Sequence, residues 1–283
     1  MPAENAKNLM SDQPTFEGMP TKLFSCTPSR LDTWLDCPRK YRYTYIDTPR
    51  PPRGGPWAHA SMGAAVHNAL REWWTRPLEE RTAQVGEVLL TKFWRTDGFK
   101  DDEQAQRSFV RAKSWITNYL KTVDVNDEPR GLERTVSATT ETLSLSGRVD
   151  RIDERDGELV IVDYKTGRNA PEVDDVASSL ALAIYAVGAA RTMRMKCTKV
   201  ELHHLPSETI VAYDHSPESL SRHIKRAESI AREVQAEAQK PESESNYRPN
   251  PSALCGYCDF ARICPDASVE PVKPWAVIEK QEL

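Results

Sequence analysis

The 283-residue chain has no apolar run near the roughly 20 residues that a membrane-spanning helix requires. It carries no Gly-x-Gly-x-x-Gly fingerprint for a dinucleotide and no haem-attachment motif. No internal repeat is visible, which excludes solenoids and propellers. A basic excess is missing too: 38 Lys and Arg against 42 Asp and Glu leave a net charge of −4. That balance argues against a protein that coats nucleic acid through bulk charge. Met1 to Pro20 is polar and lacks the basic-then-apolar pattern of a signal peptide. A loose tail over residues 1–22 and a cytoplasmic address are therefore expected. In such a compartment the six cysteines are not expected to pair as disulfides.

What is present suits a soluble globular protein: 28% charged and 39% hydrophobic residues. Ser29 can cap a helix reaching about Ile46, and the Pro- and Gly-rich stretch Thr48 to Trp57 is a loop. Ser61 opens a helix carrying Val66, Leu70 and Trp73 on one side, with His67 nearby. Further helices are expected around Leu78–Trp94 and Asp101–Val123. Strand character begins near Leu132, and Asp156-Gly157 marks a tight turn between Gly147–Glu154 and Leu159–Lys165. A helix from Asp174 to Met193, a hairpin over Lys199–Tyr213 and a Ser216-capped helix to Gln239 follow. This order implies an α/β fold with a mixed β-sheet flanked by helices.

Asp163-Tyr164-Lys165 closes the apolar run Leu159-Val160-Ile161-Val162. Side chains alternate along a strand, so Asp163 and Lys165 share a face. Gly147-Arg148-Val149-Asp150 lies just upstream and can pair with that strand, bringing a second carboxylate. Two carboxylates, a lysine and a histidine suit metal-assisted hydrolysis of a phosphodiester. Each has a plainer reading: a surface ion pair for Asp163–Lys165, a semi-buried side chain for His67, and a core tyrosine for Tyr185. Asp153, three residues beyond Asp150, is read as structural.

The series Gly63-x-x-x-His67, Gly147-x-x-Asp150, Asp163-Tyr164-Lys165-Thr166-Gly167 and Tyr185 resembles the RecB-type branch of the PD-(D/E)XK nucleases. Cys37 and Cys255-x2-Cys258-x5-Cys264 make it similar to the iron–sulfur members, which include AddB-type nuclease domains and CRISPR adaptation nucleases. The resemblance covers about residues 23–266 and implies a restriction-endonuclease-like core. It implies one domain: a helical portion (58–130), a catalytic sheet (131–240) and a cluster loop (250–266), followed by a tail (267–283). It implies Mg²⁺ or Mn²⁺ held by His67, Asp150, Asp163 and the carbonyl of Tyr164, with Lys165 serving water or phosphate and Tyr185 touching substrate. Glu133 matches a glutamate frequent in the family, although an exposed strand-edge charge is the other reading. One departure stands out: where the family has Gln-x-x-x-Tyr, this chain has Ala181 before Tyr185.

The cysteines imply, by the same resemblance, a [4Fe–4S] cluster on Cys37, Cys255, Cys258 and Cys264. Tetrahedral zinc is the rival, although zinc usually takes two close pairs. Cys26 and Cys197 have no ligand-like spacing and are expected to be buried thiols. Arg39, Lys40, Arg42, Arg50 and Arg53 interleave with Tyr41, Tyr43 and Tyr45; the pattern suits single-stranded nucleic acid or, equally, a helix with tyrosines packed inward.

Three functions follow as expectations. The first is a metal-dependent DNA exonuclease on single-stranded ends in recombination or repair, with a possible helicase partner. The second is a catalytically weak or inactive nuclease-like DNA-binding subunit of a helicase complex. The third is an iron–sulfur electron carrier.

Overall fold

The computed structural model describes residues 23–241 and 247–279; the expected N-terminal tail lies outside the described residues. The first elements are strand β1 (Phe24–Cys26) and helix α1 (Pro28–Asp36). The cap of α1 is Thr27, whose Oγ1 accepts from the Arg30 amide at 3.2 Å; Ser29 lies inside the helix. The single helix expected up to Ile46 is broken at Cys37, because Pro38 disfavours helical geometry in the residue before it. Cys37 is extended (φ −169°), and α2 (Pro38–Tyr45) restarts behind it.

After the proline-rich loop comes α3 (Ala58–Trp74), which begins one turn earlier than Ser61. Then come α4 (Ala83–Phe93) and α5 (Asp102–Thr122), the latter capped by Asp101. These three helices bury Met62, Val66, Leu70, Trp73, Leu90 and Ile116 among themselves.

Strands β2 (Gly131–Thr139), β3 (Leu143–Arg155) and β4 (Glu158–Lys165) form an antiparallel meander. Asp156 and Gly157 both have positive φ (53° and 78°), as a two-residue hairpin turn of the right twist requires. The helix expected over Asp174–Met193 is two helices, α6 (Val173–Ser178) and α7 (Leu180–Met193). Ser179 breaks the run with extended ψ, and its hydroxyl caps α7 by accepting from the Leu182 amide. Strands β5 (Cys197–His204) and β6 (Thr209–Asp214) form the expected hairpin, and Ser216 caps α8 (Pro217–Ala238).

The six strands make one mixed sheet in the order β1-β3-β4-β5-β6, with β2 paired to β3. The β1–β3 and β4–β5 pairs are parallel and the rest antiparallel. Helices α3, α4 and α5 cover Val160, Val162 and Tyr164. Helix α7 covers Leu159, Ile161, Val136 and Leu202. Alternation along β4 thus feeds two cores, one on each side. The segment after Asp266, read as a tail, folds back: α9 (Ala276–Glu279) buries Ile278 in the α3 core, and Val272 donates its amide to the Gly256 carbonyl at 2.8 Å. Among the described residues no helix is long and apolar enough to cross a membrane.

Candidate active site

His67 reaches the sheet because α3 approaches it closely one turn earlier. A Cβ on Gly63 would stand 3.1 Å from Oγ1 of Thr166, tighter than side chains normally tolerate. His67 Nδ1 then lies 3.3 Å from Oδ2 of Asp150 on β3. Burial alone would lower the imidazole pKa, but Asp150, Asp163 and Glu133 together raise it above its ordinary value.

Asp150 owes its position to an irregularity that two strands share. Leu132 packs against the α3–α5 core, yet Val136, four residues on, lies under α7. Val149 and Ile152, three residues apart, both lie under α7. Strict alternation permits neither pattern. Both strands therefore change phase between the pairs Leu132–Arg151 and Arg134–Val149, where Glu133 faces Asp150. Glu133 has φ 46°, a left-handed conformation that costs a non-glycine residue about 1–3 kcal/mol and persists where its surroundings impose it. Its carboxylate is also held by Arg148, Nε to Oε2 2.8 Å.

On β4, Lys165 Nζ sits 2.6 Å from Oδ2 of Asp163, so the two do share a side. The contact is a close ion pair, and Oδ2 itself is buried. Burial, opposed by Lys165 and reinforced by Asp150, raises the Asp163 pKa. Tyr164 donates its backbone N–H to Asp150 Oδ2 at 2.9 Å. Tyr185 of α7 lies against Gly147, and burial together with Asp163 and Asp150 pushes its phenol up to about 12.

Ligand atoms of His67, Glu133 and Asp150 all lie within 4.8 Å of one another. Glu133 thus stands beside His67 and Asp150 of the expected set, which also named Asp163 and the Tyr164 carbonyl; Asp163 lies against Lys165. Hard oxygen donors with one imidazole fit a divalent cation such as Mg²⁺ or Mn²⁺. Spacing alone could not favour Glu133, because the phase change that aims it is a property of the strand pair.

Cys37, Cys255, Cys258 and Cys264 line one cavity of about 460 Å³. The Asn250 amide donates to Cys37 Sγ and the Ser252 amide to Cys255 Sγ, each at 3.4 Å. That amide lowers the Cys255 pKa, whereas burial raises that of Cys258. Cys26 and Cys197 are buried apart from the cavity, their thiols pushed up by burial to about 11 and about 12.

The basic-aromatic stretch supports this end of the fold. Tyr41 is buried edge-on to Trp34, and Tyr43 packs on Phe260. Arg39 pairs with Asp266, Lys40 with Asp36 and Arg42 with Asp47. Tyr41 thus packs inward fully, and Tyr43 and Tyr45 in part. Sequence reading also passed over a buried polar network: Arg151 and Arg155 both bind Asp153, and Arg155 and His203 bind Glu201. Asp153 lies inside this network.

Comparison with known proteins bears on the family. A CRISPR-associated exonuclease Cas4/endonuclease Cas1 fusion from Leptospira interrogans serogroup Icterohaemorrhagiae serovar Lai is 24% identical over 147 residues. The match takes in 50% of this chain and only 26% of the fusion's length. A solved structure of a provisionally assigned exonuclease from Eubacterium rectale is 10% identical, with a TM-score of 0.49 over 87% of this chain and 90% of that one. The crystal structure of SSO0001 is 14% identical, with a TM-score of 0.41 over 88% of this chain and 89% of that one. At such scores neither structure informs the chemistry. The model of the PD-(D/E)XK nuclease superfamily matches residues 25–265, which include His67 on α3 and Glu133, Asp150, Asp163 and Lys165 on the mixed sheet; the chain belongs to that superfamily.

Proposed function

We propose that the chain is a metal-dependent DNA nuclease, an exonuclease acting on single-stranded ends in recombination or repair. The observation that carries this reading is the meeting of His67, Glu133 and Asp150 beside the Asp163–Lys165 pair. His67, Glu133, Asp150, Asp163 and the Tyr164 carbonyl would hold Mg²⁺ or Mn²⁺, the imidazole suiting Mn²⁺ better. When bound, the cation supplies Lewis-acid polarisation of the phosphate and acidification of water. Lys165, about half exposed, orients the attacking water or offsets charge growing on the phosphate. Tyr185 faces the same carboxylates and can contact the strand being cut. The exonuclease mode draws on the name of the fusion relative.

The cysteine cavity supports a [4Fe–4S] cluster with a clasping role. It joins the break at Cys37 to the C-terminal loop. Among the described residues no three of its sulfurs lie within 4.8 Å of one another, whereas tetrahedral zinc at about 2.3 Å per bond draws four sulfurs closer than that. Amide donors to sulfur suit either cofactor's thiolates.

Ala181, half-buried one turn before Tyr185, favours a second reading: a weak or inactive subunit docked on a helicase. End-labelled single strands and duplexes incubated with Mn²⁺ or Mg²⁺ separate the two. The nuclease reading expects shortening by wild type and none by Asp163→Ala. Wild type no more active than Asp163→Ala in both metals ends it, and metal-independent DNA binding without cleavage then supports the second. Iron content of anaerobically purified protein tests the cluster.

A further inference from the structure

Tyr164 is almost fully buried, at 3% exposure, in the core under α3–α5. A phenylalanine would fill that place, and a hydroxyl there costs desolvation unless it is bonded. It is bonded twice. Trp74 Nε1 donates to the phenol oxygen at 3.2 Å, and Arg151 Nη1 donates to it at 3.3 Å. Trp74 lies on α3, two turns beyond His67, and Arg151 is the residue after Asp150 on β3. The phenol oxygen therefore joins the two elements that carry His67 and Asp150. Other parts of the same residue touch both side chains directly. The Tyr164 ring meets the His67 ring edge-on at 5.9 Å, and its backbone N–H holds Asp150.

Arg151 is unusual in itself. Its guanidinium is 2% exposed, lies 4.7 Å from the Trp74 ring centroid and binds Asp153 at 2.8 Å. A buried charge of this kind is weak evidence for stability and better evidence for specificity of arrangement. We infer that the Tyr164 hydroxyl, clamped between Trp74 and Arg151, is a positioning group that fixes the gap between α3 and β3 and so keeps His67 and Asp150 at metal-binding separation. This rests on the metal-site reading above and adds to it a role for the Tyr164 hydroxyl, beside the backbone carbonyl already counted among the ligands.

Tyr164→Phe keeps the ring and the backbone and removes the hydroxyl, with its bonds to Trp74 and Arg151 and its contact with Tyr119. The full-length protein is titrated with Mn²⁺, and free ion is followed by electron paramagnetic resonance. Thermal melting is recorded with and without Mn²⁺. Affinity is expected to fall about tenfold, as for other groups that orient ligands, and the Mn²⁺-induced rise in Tm to shrink. A purely structural hydroxyl lowers both Tm values equally and leaves Mn²⁺ affinity unchanged, which overturns the inference. Should Tyr164→Phe not fold, Trp74→Phe decides: it removes the indole donor on α3 and alters the ring under Arg151, and it is expected to weaken Mn²⁺ binding; wild-type affinity there also overturns the clamp. Wild type that binds Mn²⁺ no better than Asp150→Ala instead removes the metal site, and the clamp with it.

Discussion

Glu133 and Asp150 face each other on neighbouring strands at the point where both strands change the side they bury. The left-handed backbone of Glu133 (φ 46°) accompanies that change. Strain at this position and function at this position are therefore separable. Glu133→Gly retains the conformation at little steric cost and deletes the carboxylate. Stability by urea unfolding is expected to hold or rise by about 1 kcal/mol, while Mn²⁺-dependent cleavage falls by about 100-fold. A variant that is clearly less stable and still cleaves would show that the carboxylate supports the fold and not the site.

Gly147 and Tyr185 give a second test. A Cβ on Gly147 would overlap Cε1 of the tyrosine and stand 2.8 Å from Cδ1. Gly147→Ala must displace the ring, at an expected cost of about 1–3 kcal/mol. Adding Tyr185→Ala should recover most of that loss, a coupling readable in a double-mutant cycle. If the two costs simply add, the ring is not what excludes a side chain at 147.

Much of this arrangement was legible in the sequence because it rests on local rules. The Asp156-Gly157 turn, the β5–β6 hairpin and the Ser216 cap each follow from residues within a few positions. Gly63 before His67 announced the close approach that Thr166 makes tight. The misses have a common origin in longer-range effects. Pro38 splits the first helix, which places Cys37 at a half-buried break, and Ser179 splits another. Glu133 gains weight only from a phase change that two strands make together. The network of Arg151, Asp153, Arg155, Glu201 and His203 is assembled from β3 and β5 across β4, so no window of sequence contains it.

On the proposed reading, a cluster in the cysteine cavity would be part of the fold. Its binding free energy would then be folding free energy, because α2 and the C-terminal loop meet around the cavity. Cys258→Ser is expected to be colourless and to melt well below wild type. A brown variant of unchanged Tm would remove Cys258 from the ligand set. Aspartate-to-alanine changes at position 163 should leave the colour intact, which keeps this test independent of cleavage.

Acid should loosen the sheet through Glu201 and His203. Burial opposes ionisation of Glu201, but His203 (3.0 Å) and Arg155 (2.8 Å) outweigh it and lower its pKa from 4.5 to about 2. A lowered carboxylate contributes stability in full above its unfolded value and loses it as pH falls towards the folded one. That contribution, on the order of 2–3 kcal/mol, is therefore present above about pH 4.5 and fades between there and about 2. His203 adds a loss of the same sign. Burial lowers its pKa below 6.5, so the unfolded chain takes up the proton first as acid is added. Urea unfolding from near pH 7 down to about pH 3 should show stability declining from about 6.5 and more steeply below about 4.5. Glu201→Gln should start less stable near neutrality, since Arg155 and His203 lose a charged partner, yet decline less steeply below 4.5. Parallel acid slopes for the two proteins would place the acid-sensitive groups elsewhere.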